Sequence, residues 1–171
     1  MSEEHVKRKV LSVLSVEHQG ILPRVTGLFS RRGFNIDSII ACKTEDPGLA
    51  RWTLVVTGDE ATFTQLMRQL LKLEDVIKVE ALEMESCSNS ELLLIKVRID
   101  AAGRAALLRT AQTYGGRVLD VGDCTMTLEL SGQTEEIDRF VGKMEDYGIV
   151  ELARTGITAL RRGDDTIHSP D

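Results

Sequence analysis

Two spacings of apolar residues alternate along the chain, and they predict strands and helices in turn. Residues 8–16 are apolar on both alternating faces, which is typical of a central strand that is covered on both sides. Helices are expected to cover one face, so another part of the chain has to cover the second. The next apolar residues follow the helical period of about 3.6 and predict a helix with one buried face. They are Ile21, Leu22, Val25, Leu28 and Phe29.

Three residues mark the ends of this helix. Gly20 stands where the strand turns into the helix, and Gly33 occupies a typical stop position. Pro23 is tolerated in the first turn, because an amide there would have no intrahelical partner. The first turn therefore offers unpaired N–H groups at the positive end of the helix dipole, which favours a small anionic group such as a carboxylate. The polar residues beside it are Glu17, His18 and Gln19.

The remaining pattern of the first half completes a βαββαβ order. It predicts strands at residues 35–43, 50–57 and 76–81. A second helix is predicted to open at Gly58-Asp59-Glu60 and to end near Leu73. This is the element order of the ferredoxin-like fold.

The second half repeats that order after a polar stretch at residues 83–90, which predicts a linker. Its predicted elements are strand 92–99, helix 101–114, strands 117–121 and 125–130, helix 133–146 and strand 149–153. The predicted fold class is therefore α+β, with two tandem ferredoxin-like βαββαβ domains. The predicted boundaries are 8–82 for the first domain, 83–90 for the linker, 91–162 for the second domain and 163–171 for a loose tail.

Composition and charge narrow the classes of partner. The 171 residues carry a net charge of −6, which argues against a nucleic-acid partner, because no basic field would attract phosphates. The apolar windows of about 18 residues are interrupted by charges and the start lacks a signal-peptide pattern, so we expect no membrane partner and a cytoplasmic location. Three scattered cysteines and three histidines far apart in sequence predict neither a disulfide framework nor a metal site.

No catalytic constellation is recognisable in the sequence. Its serines have no His and acid at a motif spacing, and neither a GxSxG turn nor a GxxxxGK[ST] phosphate loop occurs. The adjacent carboxylates Glu135–Glu136 and Asp164–Asp165 lie at a helix start and in the predicted tail, and we interpret them as solvated charges. A non-catalytic chain is therefore expected, with a small enzyme as an alternative, because the ferredoxin-like scaffold hosts many functions.

The first helix and its flanks also resemble a known family. The run Gly20-Ile21-Leu22 and the run from Gly27 to Ile36 look like the opening of the regulatory (small) subunit of acetolactate synthase, which is an ACT domain. Further matching blocks occur in family order at residues 46–51, 69–76, 94–97 and 153–156. The resemblance covers about residues 8–163.

This resemblance implies a function and partners. The chain would be a non-catalytic subunit that activates the catalytic (large) subunit of acetolactate synthase. It would also confer feedback inhibition by a branched-chain amino acid, with valine expected. No cofactor is expected on this chain, since thiamine diphosphate, Mg and FAD would belong to the catalytic partner. The alternative is a stand-alone ACT-type amino-acid sensor that regulates another partner.

The resemblance also implies an effector site between two copies of the chain, joined edge to edge as a homodimer through their ACT domains. The implied effector-binding residues are Glu17, Gln19, Gly20, Ile21 and Leu22 of one chain with Asn35 and Ile36 of the other. The Asn35 amide can donate to a carboxylate and accept from an ammonium group, although Asn35 and Gly20 also suit the backbone of a turn. The family commonly carries Asn where this chain has Glu17. A carboxylate there attracts the ammonium group of a ligand but repels its carboxylate, which leaves the identity of the effector open.

Overall fold

The computed structural model describes residues 7–32, 34, 36–100 and 102–169. The chain forms two compact units, Met1–Ser88 together with Ile157–Asp171, and Asn89–Gly156. This division differs from the predicted one, because the C-terminal residues belong to the first unit and the second unit ends before residue 157.

The first unit has the predicted βαββαβ order. Its elements are β1 (Lys7–Val16), α1 (Ile21–Arg32), β2 (Ile36–Lys43), β3 (Leu49–Gly58), α2 (Glu60–Leu70) and β4 (Val76–Leu82). The four strands form an antiparallel sheet in the order β2-β3-β1-β4, so β1 is central and β2 lies at an edge. The helix α2 begins where its sequence predicts, because the Asp59 carboxylate accepts a hydrogen bond from the amide of Thr62 at 2.6 Å. The predicted stop of α1 at Gly33 lies outside the described residues.

The second unit repeats this topology and confirms the predicted fold class. Its elements are β5 (Cys87–Arg98), α3 (Arg104–Thr113), β6 (Arg117–Val121), β7 (Thr125–Gly132), α4 (Thr134–Met144) and β8 (Ile149–Arg154). Its sheet order is β6-β7-β5-β8, which matches the order of the first sheet. Since β5 begins at Cys87, the polar stretch 83–90 is only a short turn followed by the start of a strand. Glu136 serves the helix start, because its side chain accepts from the amide of Gln133 at 3.2 Å in a capping box.

The two helices of the first unit cover one face of its sheet. Leu11 and Val13 of β1 are fully buried there against Val25 of α1 and Leu66 of α2. Trp52 of β3 lies in the same cluster, and its indole donates to the hydroxyl of Ser15 at 2.9 Å. This layer positions the chain segment that connects β1 to α1.

The second face of the same sheet is covered by the C-terminal segment, residues 157–169. It contains a strand that the sequence pattern did not predict, β9 (Thr158–Arg161). An apolar cluster joins this segment to the face of β1 that points away from the helices. Its members are Val10, Val55, Leu82, Cys87, Ile157 and Ala159. This segment is the second cover that the apolar pattern of β1 required.

Polar contacts also hold the C-terminal segment to the sheet. The guanidinium of Arg51 donates to the carbonyl of Ala159 at 3.1 Å, and the ammonium of Lys78 donates to the carbonyl of Ser169 at 2.6 Å. Ile167 is 4% exposed. The expected loose tail at 163–171 is thus wrong for its described residues, which pack on the first unit.

Two ion pairs made by Arg154 connect three elements of the second unit. Arg154 of β8 contacts both carboxylate oxygens of Glu91, one of them through Nε at 3.2 Å, while its Nη1 donates to Asp138 of α4 at 2.6 Å. The Glu91 side chain is 4% exposed, so its carboxylate is shielded from water, whereas the Arg154 side chain is 29% exposed.

None of the described helices is long and apolar enough to cross a membrane.

Candidate functional site

The connection from β1 to α1 forms a turn anchored at both of its sides. The amide of Val16 donates to the carbonyl of Asp75 at 2.8 Å, and the amide of Glu17 donates to the carbonyl of Gly48 at 2.7 Å. Gly20 then takes φ of +101°, a conformation that side chains with a Cβ rarely adopt. A glycine is therefore required at this position by the backbone, whatever else the turn does.

The start of α1 leaves amides available to a ligand. The amide of Arg24 donates to the carbonyl of Gly20 at 3.4 Å, and the amide of Ile21 reaches the carbonyl of His18 at 3.5 Å. Among the described residues, the amides of Gly20 and Leu22 have no acceptor. They lie at the positive end of a helix of 12 residues, where a carboxylate is favoured.

The side chains of the predicted site residues differ in their availability. Ile21 is 5% exposed and belongs to the core, so only its backbone can contact a ligand. Leu22 is 51% exposed, and Gln19 is exposed as well. Glu17 faces solvent and forms an ion pair with Lys43 of β2 at 3.4 Å.

A cluster of charges flanks the turn. The ring of His18 contacts the carbonyl of Gln19 through Nδ1 at 2.7 Å and the carboxylate of Asp75 through Nε2 at 2.8 Å. The second oxygen of Asp75 accepts from Arg24 at 2.8 Å. The hydrogen bond to the Gln19 carbonyl, followed by that to Asp75, raises the pKa of His18. The hydrogen bond from His18 lowers the pKa of Asp75.

Sequence reasoning noted His18 but missed its partners Asp75 and Arg24. Asp75 lies 51 residues from Arg24 in the chain, and only the pairing of β4 beside β1 brings it to the turn. The signal that was available is an acidic residue directly before the predicted strand 76–81, but the sequence pattern did not show that this strand lies beside β1.

The structure gathers Glu17, Gln19, Gly20, Ile21 and Leu22 in one turn, but it does not bring Ile36 to that turn within one chain. In the strand pairing, Ile36 of β2 and Lys9 of β1 both stand opposite Val56 of β3, at the start of β1. Lys43 of β2 and Ser15 of β1 both stand opposite Ala50, at the end of β1 that leads into the turn. Ile36 therefore lies at the far end of β2, roughly 20 Å from the turn at about 3.3 Å per residue. Asn35 lies outside the described residues.

A second polar group joins the C-terminal segment to the turn between β2 and β3. His168 lies 3.3 Å from Glu45 and 3.8 Å from Asp46, and all three residues are exposed. The sequence predicted no metal site because the three histidines lie far apart along the chain, but folding brings His168 close to Glu45 and Asp46. Their contacts are those of a solvated ion pair.

Two family models match the chain in tandem. The model described as the AHAS small subunit-like ACT domain matches residues 11–78, and the model described as the small subunit of acetolactate synthase matches residues 90–163.

Individual relatives extend over nearly the whole chain. The chain is 41% identical to a probable acetolactate synthase small subunit of Methanothermobacter thermautotrophicus, with 98% of this chain and 100% of the relative covered. It is 39% identical to the small subunit of acetolactate synthase isozyme 3 of Salmonella typhimurium, with 92% and 97% covered. The crystal structure of the acetolactate synthase small subunit from Thermotoga maritima matches with a TM-score of 0.87 and 32% identity over 93% of this chain and 99% of that one. The chain, with its two βαββαβ units and its N-terminal ACT domain, therefore belongs to the family of acetolactate synthase small subunits.

Proposed function

We propose that this chain is a non-catalytic regulatory subunit that binds the catalytic subunit of acetolactate synthase, raises its activity and transmits feedback inhibition by a branched-chain amino acid. The observation that carries the proposal is its membership of the small-subunit family over nearly its full length. Thiamine diphosphate, Mg and FAD belong to the catalytic partner in this proposal. Acetolactate formation is then regulated as an early step of branched-chain amino acid synthesis.

We place the effector at the turn before α1, with valine as the first candidate. The unpaired amides of Gly20 and Leu22 suit the carboxylate of an amino acid, and the exposed side chain of Leu22 offers an apolar contact. Asn35 and Ile36 complete the site from a second chain. Two features support this arrangement: β2 is an edge strand able to pair with another copy, and Ile36 is too far from the turn of its own chain.

Glu17 places a negative charge beside this site. Its carboxylate accepts from the ammonium group of the ligand and disfavours the ligand's carboxylate, and Lys43 at 3.4 Å partly offsets this repulsion. The pair is exposed, so the net effect on affinity is modest.

Regulation requires that the effector binds one arrangement of the dimer better than another, because equal affinity for both arrangements shifts no equilibrium. The site between two chains meets this requirement. An effector bound between the two chains links the turn of one chain to β2 of the other. The interface between the two chains then repacks, and this weakens the activating contact with the catalytic subunit.

The test is acetolactate production by the cognate catalytic subunit at fixed concentration, titrated with this chain with and without valine. A rate that rises with the chain and falls again with valine supports both parts of the proposal. If the rate rises and valine has no effect, the subunit assignment stands and the effector assignment fails. No change in either condition would favour a stand-alone amino-acid sensor, which should then purify without a catalytic partner.

A further inference from the structure

We propose that His18 is a positioning residue of the effector turn and makes effector binding proton-linked. The turn holds a carboxylate ligand while the His18 ring carries two protons and loses affinity when the ring releases one. This inference rests on the proposed function, since it concerns the same turn.

The geometry requires a doubly protonated ring. Nδ1 lies 2.7 Å from the carbonyl oxygen of Gln19 and Nε2 lies 2.8 Å from a carboxylate oxygen of Asp75. Both partners are acceptors, so both ring nitrogens have to donate. A neutral imidazole has one N–H and can serve only one of the two contacts.

The charges that face the ring come from two other elements. Asp75, from the loop before β4, is its counter-ion, and Arg24 of α1 occupies the other oxygen of that carboxylate. With His18 protonated, two cations and one anion leave a net positive charge beside the amides of Gly20 and Leu22. Loss of the proton removes this charge at the place where the carboxylate of the ligand binds.

Deprotonation also loosens the turn itself. The Gln19 carbonyl directly precedes Gly20. It is held by one hydrogen bond of 2.7 Å from Nδ1 of the His18 ring. When the neutral ring keeps its contact to Asp75, this carbonyl is released and the amide of Gly20, in the same peptide group, is free to rotate. The side chain of His18 is 37% exposed, so the ring exchanges its proton with solvent.

The sign of the linkage follows from this arrangement. The contacts raise the pKa of His18 from its ordinary value of 6.5. Binding of the effector is therefore strong below pH 6.5 and weakens as the pH rises through the raised pKa of His18.

The test is calorimetric titration of the full chain with valine from about pH 5.5 to about pH 9. We expect affinity to fall about fivefold or more across this range. His18→Gln should bind more weakly at low pH and show no such fall, whereas His168→Gln, a histidine of the same unit in another exposed ion pair, should keep it. Asp75→Asn should shift the fall to lower pH, because it removes the counter-ion of the ring.

A fall that persists in His18→Gln would overturn the inference, and so would an Asp75→Asn profile identical to that of the unaltered chain. Thermal unfolding of each variant separates these results from a loss of fold.

If valine binds at no pH, the effector assignment of the proposed function fails. The inference is then judged by the amide NMR signals of Gly20 and Leu22, which should move with the His18 titration. If they stay unchanged while the ring titrates, His18 does not position the turn.

Discussion

Glu17 carries a carboxylate where the family resemblance implies an Asn, and the exchange of Glu17 for Asn tests what this carboxylate does. Glu17→Asn removes a negative charge beside the amides that we assign to the effector carboxylate, and the ion pair to Lys43 at 3.4 Å disappears with it. We expect valine to inhibit the holoenzyme at a concentration about threefold to tenfold lower, the scale of one exposed charge interaction. The measurement is the valine concentration for half-inhibition at constant subunit ratio.

The matched control is Glu85→Asn, which makes the same charge change at an exposed position away from the turn. It should leave the half-inhibition concentration unchanged. Equal shifts in both variants would show that net charge, and not the position of Glu17, governs the response.

Burial decides which ion pairs of the second unit matter for stability. Arg154→Ala leaves the carboxylate of Glu91, only 4% exposed, without its bidentate partner. We expect a loss of about 2 to 4 kcal/mol in the free energy of unfolding, because an unpaired buried charge costs more than the pair contributed. Urea unfolding measures it, with Arg117→Ala as the control.

Arg117 also contacts a carboxylate, Glu129 at 2.8 Å, but its own side chain is 70% exposed. Its replacement should cost under about 1 kcal/mol. The double variant Glu91→Leu with Arg154→Leu should recover much of the loss, since no charge is then left buried. Equal losses for Arg154→Ala and Arg117→Ala would refute the role of burial.

At the scale of elements, the C-terminal segment completes the first unit. A chain that stops after Gly156 lacks Ile157, Ala159 and Ile167, which are buried on the sheet. We expect the first unit to lose about 2 kcal/mol or more, since two buried isoleucines contribute about 1.5 to 3 kcal/mol each and the entropy of ordering the segment offsets part of this.

Thiol reactivity reports this loss directly. Cys42 and Cys124 are exposed, whereas Cys87 is fully buried under the segment. The full chain should therefore show two fast thiols and the truncated chain three. A chain that stops after Asp165 keeps β9 and should retain a slow Cys87. If Cys87 stays slow after the longer truncation, the segment is not its cover.

The predicted elements depend on residues that are close in sequence, whereas the missed strand depends on contacts with residues far away in sequence. The helix α1 and the strand β6 (Arg117–Val121) follow from local periodicity and from flanking glycines, and the structure confirms them. The strand β9 has four residues, and only Ala159 among them is buried, so no period could reveal it. The pattern of β1 showed that a second cover exists, but its identity depends on contacts between residues more than 100 positions apart.

The candidate site divides in the same way. The turn from Glu17 to Leu22 was predictable because it lies within one stretch of sequence. The charges that surround it were not, because Asp75 reaches it through the pairing of β4 with β1. The position of Ile36 follows from strand register, which the sequence pattern did not supply.

At the scale of the whole molecule, the proposed site needs two chains, and mixing of two defective variants can reveal this. Gly20→Ala disturbs the turn, because φ of +101° is unfavourable for alanine although its Cβ would meet no atom within 4 Å. Asn35→Asp adds a carboxylate to the opposite half of the site. Each variant alone should lose valine binding, measured by calorimetry.

Refolding the two variants together at equal amounts produces mixed dimers in which one site carries both changes and the other carries neither. Random assortment should then restore about a quarter of the valine sites, because half of the dimers are mixed and each has one intact site. If Gly20 and Asn35 served a site within the same chain, every site would keep one defect and nothing would be restored. The matched control mixes Gly20→Ala with Leu22→Glu, since both changes alter the turn and no mixed dimer contains an intact turn. Recovery in the first mixture and none in the control is the outcome expected of an effector site shared between two chains.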